Sequence, residues 1–480
     1  MEQATSGSFA AVILAAGRAT RFKSKHARSK VLFPLAGVPM IEHILLTLAD
    51  MRPQQIVVVV NEEVREELTA HYGTLYELVV QEPQLGTGDA LATALPVLRD
   101  DVETVLVLPG DVPLVTERGL REVMDALFGA EAALLSFTPP SLRGYGRVKT
   151  VDGLVAEIVE EIDASPQELR ISEVNSGVYA LQRRWVGTAL ERARTECGTA
   201  NRKGEYYLTD IVRFLRTRSV FYEPPQDLLG INDRAQLNAA ESTVQERLLY
   251  KHAQSGVTFI RGETSYVEFQ VRIGADTTIL PGTVLRGETV IGEDCEIGPM
   301  AYIEDSRIDD RCRVFCSHLV GVRAESGVTI GPYANLRPGT NLAANVKIGN
   351  FVELKKTSVG EGSKIPHLSY VGDTKVGRES NVGAGTITCN YDGFAKHPTY
   401  IGDHVFIGSN STLVAPITIG DRAYTAAGST LTKDVPPDAL AVGRARQETK
   451  EGYAKKLREQ KQRELKGQSG PEPDQPGEGK

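Results

Sequence analysis

Two absences in this 480-residue sequence limit the classes of protein to which it can belong. It has no run of 18 or more apolar residues, and its start, MEQATSGSFA, lacks the basic and apolar regions of a signal peptide. It also has no excess of positive charge, because 54 Lys and Arg face 62 Asp and Glu, a formal charge of −8. The sequence therefore predicts a cytoplasmic protein with no membrane partner. The charge also argues against a nucleic-acid partner, since a phosphate backbone requires a basic face.

Cysteines are also few. The five, at positions 197, 295, 312, 316 and 389, fit a reducing compartment and no disulfide framework. Cys312, Cys316 and His318 lack the second ligand pair of a zinc finger, so zinc is disfavoured there. Cys295 and Cys312 each stand four residues after a repeated aliphatic residue, which predicts that both fill small core positions.

A six-residue repeat of aliphatic residues runs through the second half of the chain. Its main positions are Ile273, Ile279, Leu285, Ile291, Ile297 and Ile303, then Ile330, Leu336, Leu342, Ile348 and Leu354, then Ile401, Ile407, Leu413 and Ile419. This period is typical of a left-handed parallel β-helix, in which each turn has three short strands and each strand points one aliphatic side chain inward. Five-residue steps, such as Leu354 to Val359, are interpreted as tightened corners. The break over residues 314–328 is interpreted as an irregular or looped-out turn.

The first half has a different pattern, in which apolar runs alternate with amphipathic stretches. The runs are AAVILAAG (10–17), IVVVV (56–60), TVLVLPGD (104–111) and AALLSF (132–137). Buried strands that alternate with helices predict an α/β domain with a doubly wound, Rossmann-like parallel sheet. Ligands of such sheets bind beyond the carboxyl ends of the strands.

The two patterns and the length imply more than one domain, because a single core rarely extends over a chain this long. We predict an α/β domain over residues 1–234, a helical linker over 235–255 and a β-helix domain over 256–450. A charged tail over 451–480 completes the chain. The tail begins as a basic, helix-like run and ends in GQSGPEPDQPGEGK, a composition typical of disorder.

The segment after the first predicted strand suits an anion. Ala15, Ala16 and Gly17 allow backbone N–H groups to approach a phosphate, and Arg21 and Lys30 follow with positive charge. The segment matches neither the G-x-G-x-x-G pattern of dehydrogenases nor the G-K-[ST] pattern of P-loop ATPases, so both classes are disfavoured.

Further motifs follow in a fixed order along the first half. They are LAAG-x-x-TR (14–21), Q-x-x-QLGTG (81–88), GDVPL (110–114), GYGR (144–147), IVE (158–160), NSG (175–177), EYYLTD (205–210) and IN (231–232). This series resembles the sugar-1-phosphate nucleotidyltransferases. With the coil behind it, the chain is similar to the bifunctional N-acetylglucosamine-1-phosphate uridylyltransferase / glucosamine-1-phosphate N-acetyltransferase family over residues 10–450.

The resemblance implies a site for UTP and UDP-N-acetylglucosamine in the first domain. It implies catalytic roles for Arg21 and Lys30, and it adds Asn232 to Asp111 as ligands of Mg2+. Asp111 directly follows a predicted central strand and offers a hard oxygen ligand, although a turn-capping role is the alternative. The resemblance assigns Gln81, Gly86 and Thr87 to the uracil base and Gly146, Glu160 and Asn175 to the N-acetylglucosamine. The other residues implied to bind the nucleotide and sugar are Leu14, Ala15, Ala16, Gly17, Lys30, Pro109, Gly110, Asp111 and Asn232.

Three segments of the coil, residues 349–356, 362–373 and 381–393, are richer in polar residues than a coil requires. Acetylation of an amine by a thioester needs a proton acceptor, and His367 lies among these segments; an ordinary surface histidine is the alternative. Arg337, Lys355 and Lys396 supply the positive charge that a sugar phosphate requires. The resemblance adds Tyr370 and Asn381 to the glucosamine-1-phosphate site. It places acetyl-coenzyme A (acetyl-CoA) against Ala384, Asn390, Tyr391, Ser409, Ala427 and Arg444.

These observations predict a bifunctional enzyme. The coil would acetylate glucosamine 1-phosphate with acetyl-CoA, and the first domain would couple N-acetylglucosamine 1-phosphate to UTP with Mg2+ and release pyrophosphate. Related coils hold the acyl donor between neighbouring subunits, so the resemblance implies a homotrimer. One alternative is another sugar-1-phosphate nucleotidyltransferase with a coil that serves only as an oligomerisation scaffold, against which His367 argues. The other is a non-catalytic assembly subunit, against which Arg21, Lys30 and Asp111 argue.

Overall fold

A computed structural model describes residues 8–17, 22 and 29–468. The chain divides into two compact units, Met1–Gly339 and Thr340–Lys480, which are described separately.

The first unit begins with an α/β region. Its elements are β1 (Phe9–Leu14), β2 (Pro34–Leu35), β3 (Val38–Pro39), α1 (Met40–Met51), β4 (Gln55–Val60), α2 (Glu62–Tyr72), β5 (Glu77–Val80), α3 (Thr87–Ala94), β6 (Thr104–Pro109), α4 (Glu117–Asp125), β7 (Ala132–Phe137), β8 (Arg147–Val151), β9 (Leu154–Val159), β10 (Val174–Gln182), α5 (Arg183–Arg192), β11 (Thr217–Phe221) and α6 (Arg234–Gln254). Short 3-10 helices lie at Lys30–Leu32, Leu95–Val97, Glu168–Arg170, Leu208–Phe214 and Pro225–Leu228, and a π-helical turn lies at Ala193–Cys197.

Nine strands form one sheet in the order β5-β4-β1-β6-β10-β7-β11-β9-β8. β5, β4, β1 and β6 are parallel, which confirms the predicted α/β core. β10 runs antiparallel to both β6 and β7, so the sheet is mixed, where a fully parallel sheet was predicted. The reversal originates in the β8–β9 hairpin, because β9 already runs antiparallel to β11 and β10 keeps the direction of β9. The carboxyl ends of the parallel strands still share one edge.

Both faces of this sheet are covered. Ile13 of β1 packs in one core with Ile44 of α1, and Val12 of β1 packs in a second core with Leu91 of α3. Neighbouring residues of β1 therefore point into different cores, which is why the strand is a continuous apolar run and does not alternate with polar residues.

Helix α6 packs onto the α/β region, although it was predicted as a linker. Ala240, Val244 and Leu248 are buried in a third core, together with Phe33 and Leu114. The carboxylate of Glu241 accepts a hydrogen bond from the Ala36 amide at 3.0 Å. The packing of α6 thus stabilises the region that precedes it.

The rest of the first unit is the start of the coil. Its strands are β12 (Thr258–Phe259), β13 (Tyr266–Val267), β14 (Arg272–Ile273), β15 (Thr278–Ile279), β16 (Val284–Arg286), β17 (Val290–Ile291), β18 (Glu296–Ile297), β19 (Tyr302–Glu304), β20 (Arg307–Ile308), β21 (Arg313–Val314), β22 (His318–Val320), β23 (Val322–Ala324), β24 (Thr329–Ile330) and β25 (Asn335–Leu336). Every third strand pairs in parallel, as in β12-β15-β18-β21-β24, which confirms three strands per turn. The repeated aliphatic residues are buried, and so are Cys295 and Cys312, as predicted.

The interpretation of residues 314–328 as an irregular or looped-out turn is wrong. His318 pairs in register with Tyr302 on the preceding turn, and β23 pairs with β20 in the same way. Leu319 and Ala324 are the buried inward residues of this stretch. Two successive five-residue steps and one alanine hide the six-residue repeat in the sequence, while the coil itself continues.

The second unit continues the same architecture. Its strands are β26 (Thr340–Leu342), β27 (Lys347–Asn350), β28 (Glu353–Lys355), β29 (Ser358–Val359), β30 (Lys364–His367), β31 (Tyr370–Gly372), β32 (Thr374–Val376), β33 (Asn381–Val382), β34 (Ile387–Cys389), β35 (Thr399–Ile401), β36 (Phe406–Ile407), β37 (Thr412–Val414), β38 (Ile417–Ile419), β39 (Tyr424–Thr425), β40 (Thr430–Leu431) and β41 (Leu440–Ala441). They form three parallel sheets, β27-β30-β33-β36-β39-β41, β28-β31-β34-β37-β40 and β26-β29-β32-β35-β38.

Two segments leave this coil. Residues 390–398 form a small hairpin closed by a bridge between Tyr391 and Lys396, with Phe394 98% exposed at its tip. In the tail, Tyr453–Gln468 form helix α7, where the sequence indicated a basic, helix-like run; residues 469–480, in the stretch for which disorder was predicted, lie outside the described residues. In the part of the chain that the structure describes, no helix has both the length and the apolar character to cross a bilayer.

Candidate active sites

Three polar side chains meet at the carboxyl edge of the sheet in the first unit. The Lys30 ammonium forms an ion pair with the Asp111 carboxylate and donates a second hydrogen bond to Asn232 Oδ1 at 3.2 Å. Asp111 stands two residues beyond β6, and Asn232 stands two residues before α6. Two oxygens therefore converge on one cation, and both are of the hard type that Mg2+ prefers.

Backbone hydrogen bonds fix this arrangement. The Ile231 amide donates to the Asp111 carbonyl at 2.8 Å, which ties the segment before α6 to the segment after β6. The Gly110 amide donates to the Leu14 carbonyl at 2.9 Å. A Cβ at Gly110 would lie 3.1 Å from both the Leu14 carbonyl oxygen and the Ala15 Cβ, so little space exists for a larger residue.

The segment after β1 lies beside this cluster. Leu14 pairs with Pro109 across β1 and β6. The Ala16 carbonyl accepts hydrogen bonds from Asn61 Nδ2 at 3.3 Å and Gln84 Nε2 at 2.7 Å, so the turn is held from two sides. Gly17 is exposed, and nothing lies within 4 Å of the place where a Cβ would stand. Arg21, predicted to be catalytic, lies outside the described residues.

The segment that was assigned to the uracil base is rigid. The buried Gln81 side chain donates to the Gly86 carbonyl at 3.0 Å, and Thr87 Oγ1 accepts from the Leu208 amide at 3.0 Å. Gly86 has a φ of +119°, and a Cβ there would lie 2.5 Å from the Tyr206 carbonyl oxygen. Only glycine fits such a left-handed position against another backbone segment.

The residues that were assigned to the sugar also lie together. The Asn175 amide donates to the Gly146 carbonyl at 2.9 Å. A Cβ at Gly146 would lie 2.9 Å from Ile158 Cγ2 and 3.4 Å from Glu160 Oε1. Burial raises the pKa of the Glu160 carboxyl, although the positive charge of Lys203 opposes the shift. A carboxyl of this kind is suited to a directed hydrogen bond with a sugar hydroxyl.

His367 lies in the second unit at the end of β30, directly beside Asn350 on β27. Its Nδ1 is 2.5 Å from Asn350 Oδ1. Because the amide oxygen can only accept, this contact places the ring proton on Nδ1 and leaves Nε2 with a free lone pair. The ring is exposed, so a substrate can reach it. The arrangement is that of an oriented base.

Lys355 and Lys396, two residues assigned to the sugar phosphate, lie close together in the second unit. Lys355 stands at the end of β28; its ammonium can donate a hydrogen bond to Lys396 only when the Lys396 amine is neutral, and this effect and the repulsion between the two charges lower the pKa of Lys396. The Asp373 carboxylate lies near Lys396 and accepts a hydrogen bond from Asn390. Asn390 also lies 3.5 Å from the Tyr370 hydroxyl. Two adjacent ammonium groups are a suitable site for a phosphate dianion.

The residues assigned to acetyl-CoA form two groups. Ala384, Ser409 and Ala427 follow one corner of successive turns: the Ala384 carbonyl accepts from the Asn410 amide at 2.7 Å, and the Ser409 carbonyl accepts from the Gly428 amide at 2.8 Å. His367 stands at the head of this corner, since its carbonyl accepts from the Gly385 amide at 3.4 Å. Turns are about 4.8 Å apart, so the corner offers an extended track for a long ligand.

Of the other assigned residues, Arg444 lies at the end of that corner, and the rest lie elsewhere. Arg444 Cδ lies 3.7 Å from the place of a Cβ at Gly428, at the far end of the track. Asn381, in β33, pairs with Lys364. Tyr391 begins the exposed hairpin next to Asn390. Arg337 follows β25 and belongs to the first unit, whereas the other residues assigned to glucosamine 1-phosphate belong to the second.

Comparison with known proteins agrees with both halves of the chain. Residues 11–173 match the MobA-like NTP transferase domain, and residues 270–305 and 398–433 match the bacterial transferase hexapeptide repeat. The bifunctional protein GlmU of Brevibacillus brevis is 44% identical over 455 residues, which cover 93% of this chain and 97% of that protein. GlmU of Heliobacterium modesticaldum is 46% identical over 454 residues, with 92% and 97% covered. GlmU of Listeria monocytogenes is 42% identical over 459 residues, with 93% and 98% covered.

The chain belongs to the GlmU family. This membership confirms the predicted fold, a nucleotidyltransferase domain followed by a left-handed β-helix of hexapeptide repeats. It also confirms the prediction of a bifunctional transferase of UDP-N-acetylglucosamine synthesis, with one uridylyltransferase and one acetyltransferase activity. The scaffold-only and assembly-subunit alternatives are not favoured, because the similarity to GlmU covers nearly the whole chain.

Sequence reasoning about this GlmU family member missed two contact residues. Asn350 lies 17 residues before His367, which is one turn of the coil, and only the strand register shows that they touch. Asp373 lies 17 residues before Asn390, again one turn of the coil, and accepts a hydrogen bond from it. A search of the sequence at the spacing of one turn from each assigned residue would have found both.

Proposed function

We propose that the α/β region of the first unit performs uridylyl transfer and that the coil of the second unit performs acetylation. The contact that carries the acetylation half is His367 with Asn350, because it leaves one ring nitrogen ready to accept a proton. The cluster of Lys30, Asp111 and Asn232 supports the uridylyl half. Acetylation comes first, since the acetylated sugar phosphate is the substrate of the second reaction.

In the acetylation step, the amine of glucosamine 1-phosphate attacks the thioester carbonyl of acetyl-CoA. His367 Nε2 takes a proton from the attacking nitrogen as the C–N bond forms; the C–S bond then breaks, and the protonated imidazole returns the proton to the sulfur, which leaves as the thiol of coenzyme A. Asn350 holds the ring by its Nδ1 and so keeps Nε2 directed at the amine. Lys355 and Lys396 bind the phosphate, while Tyr370 and Asn381 complete the sugar site.

We assign the acyl donor to the corner of Ala384, Ser409 and Ala427, with Arg444 at its far end and Asn390 and Tyr391 beside the reacting group. The small side chains along this corner leave room for the extended pantetheine arm. The Arg444 guanidinium can pair with the nucleotide phosphates of coenzyme A.

In the uridylyl step, the phosphate oxygen of N-acetylglucosamine 1-phosphate attacks the α-phosphorus of UTP and displaces pyrophosphate. Lys30 and Arg21 neutralise the phosphates, and the turn of Leu14 to Gly17, with Gly110, lets backbone amides approach them. Gln81, Gly86 and Thr87 bind the uracil base. Pro109 lies beside Leu14 at the end of β6 and forms part of the surface of the nucleotide site. Gly146, Glu160 and Asn175 bind the sugar.

We propose Mg2+ as the divalent metal of this site. Asp111 and Asn232 fit it, because their two oxygens already converge on one cation, the Lys30 ammonium. When bound, the metal withdraws electron density from the phosphate oxygens and stabilises the charge that develops on them. With the metal on Asp111 and Asn232, the Lys30 ammonium would be available to bind the phosphates.

We also propose a homotrimer in the cytoplasm. Next to the proposed base, Leu368 is 61% exposed, and Phe351 on the preceding turn is 56% exposed. Neighbouring apolar side chains at one corner are typical of a surface that another subunit covers. The small-molecule substrates, UTP and acetyl-CoA, are metabolites of the cytoplasm, which supports that location.

The two activities should separate when the chain is cut after α6. A fragment of residues 1–256 should keep uridylyl transfer and lose acetylation, because the two proposed sites lie in different units. A fragment of residues 1–234 should be unstable, since it loses the buried Ala240, Val244 and Leu248, and each large apolar side chain contributes about 1.5–3 kcal/mol. Thermal unfolding and both activity assays would measure this difference. A folded but inactive 1–256 fragment would contradict the assignment of uridylyl transfer to this region.

Asn350→Ala should lower the acetylation rate roughly ten-fold, because the ring of His367 loses the acceptor that sets its tautomer and orientation. Asn350→Asp is the matched control, since its carboxylate can still accept from Nδ1 and should preserve most of the rate. Steady-state acetylation assays on both variants test this role. Equal rates in Asn350→Ala and the unsubstituted protein would show that Asn350 does not orient the base.

A further inference from the structure

Tyr145 lies between the two parts of the proposed uridylyl site, and no role has been assigned to it above. Its hydroxyl accepts a hydrogen bond from the Gly230 amide at 3.2 Å. The next residue in the chain, Gly146, belongs to the proposed sugar site. Gly230 stands two residues before Asn232, which belongs to the proposed metal site. One side chain therefore joins the two parts.

The amides of residues 230–232 are each held by a different acceptor. The Gly230 amide donates to the Tyr145 hydroxyl, the Ile231 amide to the Asp111 carbonyl at 2.8 Å, and the Asn232 amide to Gln236 Oε1 at 2.7 Å. Gly230 has no side chain of its own to pack, so its hydrogen bond to Tyr145 is a direct restraint on its position. A shift of Gly230 would move Asn232 relative to Asp111.

The other side of this contact is firmly held. The Tyr145 ring packs edge-on against Phe137, with centroids 5.4 Å apart, and the Arg147 guanidinium donates to the Tyr145 carbonyl. The Gly146 carbonyl accepts from the Asn175 amide. Burial raises the pKa of the Tyr145 hydroxyl, so the group stays neutral at physiological pH. The tyrosine thus connects a restrained sugar turn to the segment that carries Asn232.

We propose that Tyr145 is a positioning residue that couples the sugar site to the metal ligands of the uridylyl reaction. This inference rests on the proposed function of the α/β region. Contacts of the sugar with Gly146 restrain the turn, and the Tyr145 hydroxyl passes that restraint through Gly230 to Asn232. Without the hydroxyl, Asn232 Oδ1 samples positions that do not suit the metal, and more metal is needed to reach the same rate.

The test is Tyr145→Phe in the full-length chain, with two readouts across a range of Mg2+ concentrations: the uridylyl rate, and the binding of Mg2+ in the presence of UTP by isothermal titration calorimetry. The phenylalanine ring keeps the contact with Phe137, so the variant should fold. We expect the Mg2+ concentration for half-maximal rate to rise roughly five-fold, the scale of one lost hydrogen bond. Saturating Mg2+ should restore most of the maximal rate, and acetylation should not change.

Tyr222→Phe is the matched control. Tyr222 is buried in the same core, and its hydroxyl bonds with Thr116 and Asp227, so its loss removes a similar contact away from residues 230–232. Tyr222→Phe should lower the melting temperature by about as much as Tyr145→Phe does, but it should leave the Mg2+ requirement unchanged. An equal Mg2+ requirement in Tyr145→Phe and the unsubstituted protein would overturn the inference, as would an equal increase in both variants.

The failure of this inference can be told apart from failure of the proposed function. If Asp111→Asn remains active, the metal assignment itself is wrong. If Asp111→Asn is inactive and Tyr145→Phe keeps the normal Mg2+ requirement, only the role of Tyr145 is wrong.

Discussion

Asp111→Asn should lower the rate of uridylyl transfer at least about 100-fold, because a neutral amide is a poor ligand for a hard cation. The substitution also replaces the ion pair of Lys30 with, at most, a hydrogen bond to a neutral amide oxygen. The shape of the side chain is preserved, so the loss reports charge and metal binding. Pyrophosphate release from UTP and N-acetylglucosamine 1-phosphate, measured at several Mg2+ concentrations, is the direct assay.

Two controls show whether the loss is local. Acetylation by the same variant should be unchanged, because its proposed residues lie in the other unit. Asp100→Asn makes the same chemical change at a fully exposed carboxylate and should leave both activities intact. Uridylyl transfer within a few-fold of normal in Asp111→Asn would reject Asp111 as a metal ligand.

The coil could be predicted because its signal is local. Each turn repeats an inward aliphatic residue within six positions, so the pattern survives in the sequence without knowledge of any long-range contact. Because the prediction uses only this local spacing, it failed over residues 314–328, where the spacing changes. Two five-residue steps and the small Ala324 shift the pattern locally, while the register between His318 and Tyr302 is a property of the stacked turns and cannot be read from spacing alone.

The α/β sheet shows a second limit. Apolar runs identified β1, β4, β6 and β7, but they do not reveal strand direction, and the antiparallel course of β10 depends on the hairpin that precedes it. The sequence placed α6 between the α/β pattern and the six-residue repeat, so it was interpreted as a linker. Nothing in its periodicity indicated that Val244 and Leu248 would pack against the α/β region. Which surface an amphipathic helix covers is decided by tertiary contacts.

In the candidate sites, too, some residues can be identified from local sequence and others only from tertiary contacts. Asp111 and His367 stand in motifs whose composition suggests chemistry, so sequence reasoning selected them. Asn350 and Tyr145 act through contacts with residues 17 and 85 positions away, and those contacts depend on register and on a loop crossing the sheet edge. Residues that orient a functional group carry little signal of their own, because an asparagine or a tyrosine is acceptable at many positions.

His367→Ala should lower the acetylation rate by roughly 100-fold or more, the usual effect of removing a positioned general base. The amine of glucosamine 1-phosphate must lose a proton as it attacks, and without the imidazole the proton must pass to water or to a group that is less well placed. Binding of acetyl-CoA should be preserved, because the corner of Ala384, Ser409 and Ala427 is untouched. Isothermal titration calorimetry with acetyl-CoA and steady-state acetylation assays separate these two effects.

The pH dependence of acetylation tests the same role independently. In the unsubstituted protein the rate should fall toward acidic pH, because a protonated imidazole cannot accept the amine proton. His367→Ala should lack that part of the fall, while His404→Ala, which removes another exposed histidine of the same unit, should keep the normal profile and rate. Uridylyl transfer should be unchanged in both variants. An acetylation rate within a few-fold of normal in His367→Ala would mean that a different group accepts the proton, and the contact between His367 and Asn350 would then be structural.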